Sequence, residues 1–242
     1  MKFDTDTQKY TDLVRWYRKV KTQPYRKSVN DQIMHLREML DGNHALYFGI
    51  PEFRKKIESA KYLSCLSVSG EDVIKFDSNE RKLPFEDSSY DVIVLMHALD
   101  LLENPYNFIR EIDRVASDDA KIFIVGFNKI SVWGLMNFIN NKSAPPWFMN
   151  FHPTSNIREW FKILSYESKF NSTSCFLPAT SKYFNKYLEK ISFMQKWLFP
   201  NFGGIYFHIF NKKIIPLTPY KMKFKDKYIV NTFPKSTLNR IK

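Results

Sequence analysis

The chain has 242 residues, enough for one large domain with additions, and its 44% apolar content is that of a globular protein. Its two cysteines, Cys65 and Cys175, have no metal-ligand or CxxC spacing, which excludes a zinc module or disulfide scaffold and points to a reduced, cytoplasmic setting. The net charge of +12 is uneven: nine basic and six acidic residues lie in 1–43, ten and fifteen in 44–128, and eighteen and four in 129–242, so the C-terminal half is the basic one.

The first residues, MKFDTDTQKY, lack the apolar core of a secretory signal, and no apolar run approaches the roughly 18 to 20 residues that span a bilayer. Residues 8–22 place Leu13, Trp16 and Tyr17 near one face of a helix, which Pro24 should end. A second helix is expected over Asn30 to Leu40, stopped by Asp41-Gly42. The two read as lids or packing helices ahead of the core. HALYFGI, residues 44–50, reads as a first strand ending at Gly49, and Pro51 then opens a helix through about Ala60. Tyr62 to Val68 and Asp72 to Phe76 read as a second and third strand.

The clearest pattern lies between Leu83 and Phe127. Two continuous apolar runs, Val92 to Met96 and Ile122 to Phe127, flank an amphipathic segment, the signature of two buried parallel strands and a crossover helix. That helix should start at Asn104-Pro105, where a side chain can cap free amides and proline is tolerated. Its apolar positions Phe108, Ile109, Ile112 and Val115 share a face. Further on, a helix carrying Ile157, Trp160, Phe161 and Leu164 precedes a strand from Tyr166 to Asn171. A Lys-bearing helix over Ser181 to Phe199 reads as an amphipathic cover for the sheet, or as a membrane-surface helix. Ile205 to Phe210 reads as the last strand, and a basic tail with three prolines follows. Strand and helix alternate, so the fold is α/β: a mostly parallel sheet with helices on both faces, ligands being expected beyond the carboxyl ends of the strands. The organisation expected is a helical extension over 1–43, a main domain over 44–211 and a tail over 212–242.

LPFEDSSYDVIV and the LMHALDLLENPYNFIREIDRVASDDAKIFIVGFN that follows resemble the loop after the third strand, fourth strand, helix and fifth strand of class I S-adenosylmethionine-dependent methyltransferases, the UbiE-like group most of all. IVGFNKISVWGL, IREWFKILSYES and GGIYFHIFNKKIIPLTP are similar to parts of a related bacterial methyltransferase-like family. The resemblance covers most of the chain after residue 44. It implies a Rossmann-like sheet of seven strands with the last antiparallel, and S-adenosylmethionine as cofactor. Phe48, Gly49 and Ile50 match the loop near the cofactor's methionine part; Ser67 or Ser69 falls where an acid holds the ribose; Asn79 with Glu80 matches the adenine-contacting position; Met96 and His97 match the end of the fourth strand. The chain departs from the pattern in having one glycine in the first loop and no acid ending the second strand. A carboxylate accepts from both ribose hydroxyls better than a serine does.

Methyl transfer is an in-line displacement in which positioning does much of the catalysis. His97, Asp100 and His152 are the candidate general bases for an acceptor hydroxyl or ring nitrogen, His97 also reading as a structural histidine and His152 as a loop or capping residue. Asp91 reads as a structural turn acid. The aromatic cluster Trp133, Phe138, Trp147 and Phe148 reads as a cover for an apolar acceptor or as core. The scattered histidines form no metal site. Two functions follow: methyl transfer to an unidentified acceptor, or an inactive methyltransferase-like protein whose basic C-terminal half binds RNA, an anionic membrane or a protein partner.

Overall fold

The structure, a computed structural model, describes residues 2–55, 60–67, 74–75, 82–102, 104–139, 144–178 and 201–213. The helix expected over Ser181 to Phe199, the tail beyond Lys213, and the candidate positions Ser69, Asn79 and Glu80 lie outside them.

The core is a seven-stranded sheet built from β1 (His44–Phe48), β2 (Tyr62–Ser67), β3 (Ile74–Lys75), β4 (Tyr90–Met96), β5 (Ala116–Phe127), β6 (Tyr166–Ser174) and β7 (Ile205–Lys212), in the order β3-β2-β1-β4-β5-β7-β6. The β1, β2, β3, β4 and β5 pairings are parallel, and β7 runs antiparallel to both β5 and β6. The strand order reverses between β1 and β4, which opens a crevice at their carboxyl ends. The continuous apolar runs are the central strands: Val92, Ile93, Val94, Leu95 and Met96 of β4 and Ile122, Phe123, Ile124 and Val125 of β5 are all buried. Each such side chain contributes about 1.5–3 kcal/mol of burial.

Between them, α4 (Ala98–Leu101) and α5 (Pro105–Val115) make the crossover. Asn104 caps α5 as its sequence suggests, accepting from the Tyr106 amide at 3.2 Å, and Phe108, Ile109, Ile112 and Val115 are its buried face. The loop before β4 is held from the same helix. Arg114 donates to the carbonyls of Leu83 and Phe85, while Glu111 pairs with Arg114 and accepts from the Leu83 amide. Asp91 accepts from the amides of Asn43 and His44 at 3.0 and 3.2 Å, tying the entry of β1 to β4.

Several boundaries differ from the sequence reading. The N-terminal segment is α1 (Lys2–Arg18) followed, after a short 3-10 turn, by α2 (Gln23–Leu36) and a second 3-10 turn over Arg37–Leu40. Pro24 therefore opens α2 instead of ending α1, because a first-turn position needs no amide donor. The helix after Pro51 is described as α3 (Pro51–Arg54) and the third strand only at Ile74–Lys75. β5 begins six residues before its apolar run, Ala116 pairing with Tyr90 ahead of a register shift that passes over 117–120, and β6 extends to Ser174 because its ladder with β7 continues through polar residues. α6 (Val132–Ile139) and α7 (Thr154–Ile163) complete the described elements. Tyr10, Leu13, Trp16 and Tyr17 of α1 and Tyr25, Val29 and Ile33 of α2 pack into one core with the sheet.

Candidate functional site

The crevice between β1 and β4 is built from both strand ends. β1 closes with Phe48, then Gly49 at φ +150°, a backbone region that suits glycine. A Cβ there would lie 2.3 Å from the Cβ of Met96, so the turn after β1 rests directly on the last residue of β4. Two tyrosine hydroxyls fasten this turn: Tyr47 donates to the Ile50 carbonyl at 2.6 Å, and Tyr10 of α1 donates to the Gly49 carbonyl at 3.0 Å.

β4 passes into α4 through His97, whose left-handed backbone (φ 58°) reverses the chain at a cost of about 1 kcal/mol. Its amide donates to the Val125 carbonyl at 2.7 Å, and its ring lies 4.3 Å from that of Phe127. His97 and Asp100 are both fully buried, three residues apart, with Nδ1 and Oδ2 separated by 2.8 Å. The same Oδ2 accepts from the Phe127 amide at 2.9 Å. A carboxylate can only accept, so Nδ1 carries the proton and Nε2 is left with its lone pair. That lone pair receives the hydroxyl of Tyr17, 2.7 Å away. Burial pushes the Tyr17 phenol well above its ordinary pKa, with Cys175 and Asp100 adding to the effect, so it keeps its proton and remains the donor. The other Asp100 oxygen, Oδ1, has no hydrogen-bond partner among the described residues, nor does the buried hydroxyl of Tyr206. Both approach the bare Cα of Gly126: a Cβ there would meet them at 3.0 and 2.3 Å.

Helix α1 thus reaches the site at three points. Tyr10 takes Gly49, Tyr17 takes His97, and Arg18 forms an ion pair with Glu52 of α3. These residues were missed in the sequence. The apolar face of α1 was visible there, but its hydroxyl partners lie 39 and 80 residues further along the chain, and no local spacing encodes them.

Of the candidate residues, Phe48, Gly49, Ile50, Met96, His97 and Asp100 come together at the crevice, and all six are buried. Ser67 is the last residue of β2, the neighbour of β1. His152 is elsewhere: it bridges to Asn128, and its Nε2 lies 3.2 Å from the Leu99 carbonyl, a loop position without the buried carboxylate that orients His97. The aromatic cluster divides. Trp133 is core, stacked on Phe127 and against Tyr25, while Phe138 is 89% exposed. Among the described residues no group of three or more His, Cys, Asp or Glu could hold a metal ion.

S-adenosylmethionine would lie across the carboxyl ends of β1, β2 and β4. The buried Oε2 of Glu52, which has no hydrogen-bond partner among the described residues, is an acceptor suited to the ammonium group of its methionine end.

Known proteins similar to this chain include methyltransferases. Residues 51–124 match the family model described as a methyltransferase domain. The chain is 28% identical over 201 residues to the uncharacterized protein YafS of Escherichia coli (strain K12), covering 82% of this chain and 80% of that one. In fold it is similar to a SAM-dependent methyltransferase of Archaeoglobus fulgidus (TM-score 0.55, 13% identity, 77% of this chain and 94% of that one). It is also similar to a SAM-dependent methyltransferase of Thermotoga maritima described as a possible histamine N-methyltransferase (TM-score 0.56, 12% identity, 84% and 100%). The sheet order and the antiparallel β7 are those of the Rossmann-like methyltransferase fold.

Proposed function

We propose that this chain, which resembles S-adenosylmethionine-dependent methyltransferases in sequence over residues 51–124 and in fold over most of its length, transfers a methyl group to an acceptor deprotonated by His97. The observation that carries the reading is the buried Asp100–His97 pair at the end of β4, with Nε2 aimed at a hydroxyl. The cofactor supplies a methyl group made electrophilic by its sulfonium. Phe48, Gly49, Ile50 and Met96 would hold its methionine end, and Ser67, with Asn79 and Glu80 by the resemblance in sequence, would serve its adenosine. Asp100 fixes the tautomer of His97 and offsets the positive charge the ring gains on taking the acceptor's proton. The hydroxyl of Tyr17 stands where an acceptor hydroxyl would approach. Helix α1 is therefore the cover of the site and withdraws when cofactor and acceptor enter. Neither Cys65 nor Cys175 is in a disulfide, which suits the cytoplasm.

Calorimetric titration with S-adenosylmethionine tests the premise, and saturable binding is expected; no heat at millimolar cofactor would sink it. Transfer of labelled methyl groups into a cell extract tests the base: His97→Gln should lower the rate by about 10²- to 10⁴-fold with cofactor affinity kept. A variant as fast as the parent would remove His97 from the chemistry.

A further inference from the structure

The exposed apolar surface is concentrated in one place. Of the twelve large hydrophobic residues exposed among the described ones, six lie on α6, on the loop before it, or beside it: Ile130, Val132, Leu135, Phe138, Ile139 and Phe202. Val132, Leu135, Phe138 and Ile139 recur at helical spacings of three and four, so they form one stripe. Phe138 is 89% exposed, Ile139 69% and Leu135 61%. The opposite side of the helix carries Trp133, buried against Phe127, Tyr25 and Trp147, so α6 is anchored inward by one large ring and shows its remaining apolar face outward.

The mount is rigid. Buried Asn128 donates to the carbonyls of Ile130, Asn201 and Gly203, and the Ser131 hydroxyl accepts from the Gly134 amide to cap the helix. Beside it runs a groove of about 640 Å³ lined by Lys129, Ile130, Leu135, Pro153 and Phe202 among others.

Charge supplies the second half of the argument. From residue 120 to 158 there is no Asp or Glu, while Lys121, Lys129, Lys142 and Arg158 fall in that stretch. An apolar stripe with Lys129 beside it, in a stretch of sequence free of acids, is complementary to a surface that is apolar beneath and anionic at its rim. We propose that α6 and its preceding loop dock on anionic phospholipid bilayers, the stripe from Val132 to Ile139 entering the headgroup boundary and Lys129 meeting the phosphates. RNA fits the same charge less well, because the stripe offers one exposed aromatic ring and mostly aliphatic side chains, whereas single-stranded bases seek stacking platforms. Because binding is read without cofactor, this proposal and the methyl-transfer reading stand or fall separately.

The test is flotation of the full chain with phosphatidylcholine vesicles containing about 30% phosphatidylglycerol, with pure phosphatidylcholine vesicles as the comparison. Binding should require the anionic lipid and weaken as salt is raised. Phe138→Asp and Leu135→Asp should each weaken it about tenfold or more, since both side chains are exposed and their loss costs the fold nothing it buries. Lys129→Glu should weaken it less. Several results overturn the proposal: no flotation with anionic vesicles, flotation indifferent to Phe138→Asp, retention of a single-stranded RNA oligomer at concentrations where vesicles are ignored, or a dimer in solution that Phe138→Asp turns to monomer.

Discussion

The two sides of the crevice are made in different ways. On the β4 side, His97 and Asp100 are three residues apart and the carboxylate also holds the Phe127 amide, so the polar centre is assembled within one turn of chain and its neighbouring strand. On the β1 side, the turn at Gly49 is fastened by Tyr47 of the strand itself and by Tyr10 from a helix 39 residues earlier. The first arrangement comes with the sheet; the second depends on α1 being docked. A cover that completes the site in its closed state must give up those bonds to open it, so the affinity seen for cofactor is reduced by the fraction of molecules in which α1 is away.

Four substitutions or conditions separate the two sides. Gly49→Ala has the largest expected effect, about 3–5 kcal/mol in urea unfolding, because its Cβ would meet Met96 within van der Waals contact and its φ is unfavourable for alanine. A loss under 1 kcal/mol would mean that the β1 turn adapts freely. Asp100→Leu leaves the Nδ1 proton and the Phe127 amide without an acceptor and should cost about 2–4 kcal/mol by the same measurement. Retention of full stability would show the pair to be dispensable for the fold.

His208 of β7, next to Tyr206, provides a pH probe. Buried in β7 with neither ring nitrogen bonded among the described residues, its pKa is lowered to about 3 by burial first and Arg158 second. The unfolded chain then binds the proton more readily than the folded one between about pH 6.5 and 3, so stability falls as pH drops through that window. By pH 5 the loss is about 2 kcal/mol, and His208→Leu should flatten that part of the stability profile. The smallest effect is expected for Tyr17→Phe. Removing the hydroxyl unpairs His97 Nε2 and should cost about 1–2 kcal/mol of stability, yet tighten S-adenosylmethionine binding by releasing one of three anchors of α1. Weaker cofactor binding in that variant would argue that Tyr17 serves the bound state.

Much of the sheet was legible because its signals are local. Continuous apolar runs, an Asn-Pro cap and a 3.6-residue stripe fixed β4, α5 and β5, and the family resemblance supplied the antiparallel β7 that pattern alone would not orient. The edges were read less well, since β5 starts at a register shift after Ala116 and ladder pairing carries β6 through Asn, Ser and Thr once β7 is in place. At the site, the i, i+3 pairing of His97 and Asp100 was within reach of the sequence. The role of Tyr10 and Tyr17 was not, because a tyrosine on an apolar helix face gives no sign of which distant acceptor its hydroxyl will meet. The outward stripe of α6 was hidden for the same reason: an apolar helix looks alike in sequence whether it faces the core or the solvent.

The grip of Arg114 on the carbonyls of Leu83 and Phe85 bears on how such chains diverge. The motif by which this chain is recognised is fastened to α5 by an arginine and a glutamate whose task is mechanical, and losing them would loosen the approach to β4 whether or not any reaction took place. A descendant that abandoned its chemistry would therefore be held to the same Leu-Pro-Phe loop by selection for folding alone, and Gly49 and Asp100 would be held with it by the close approach to Met96 and the bond to the Phe127 amide.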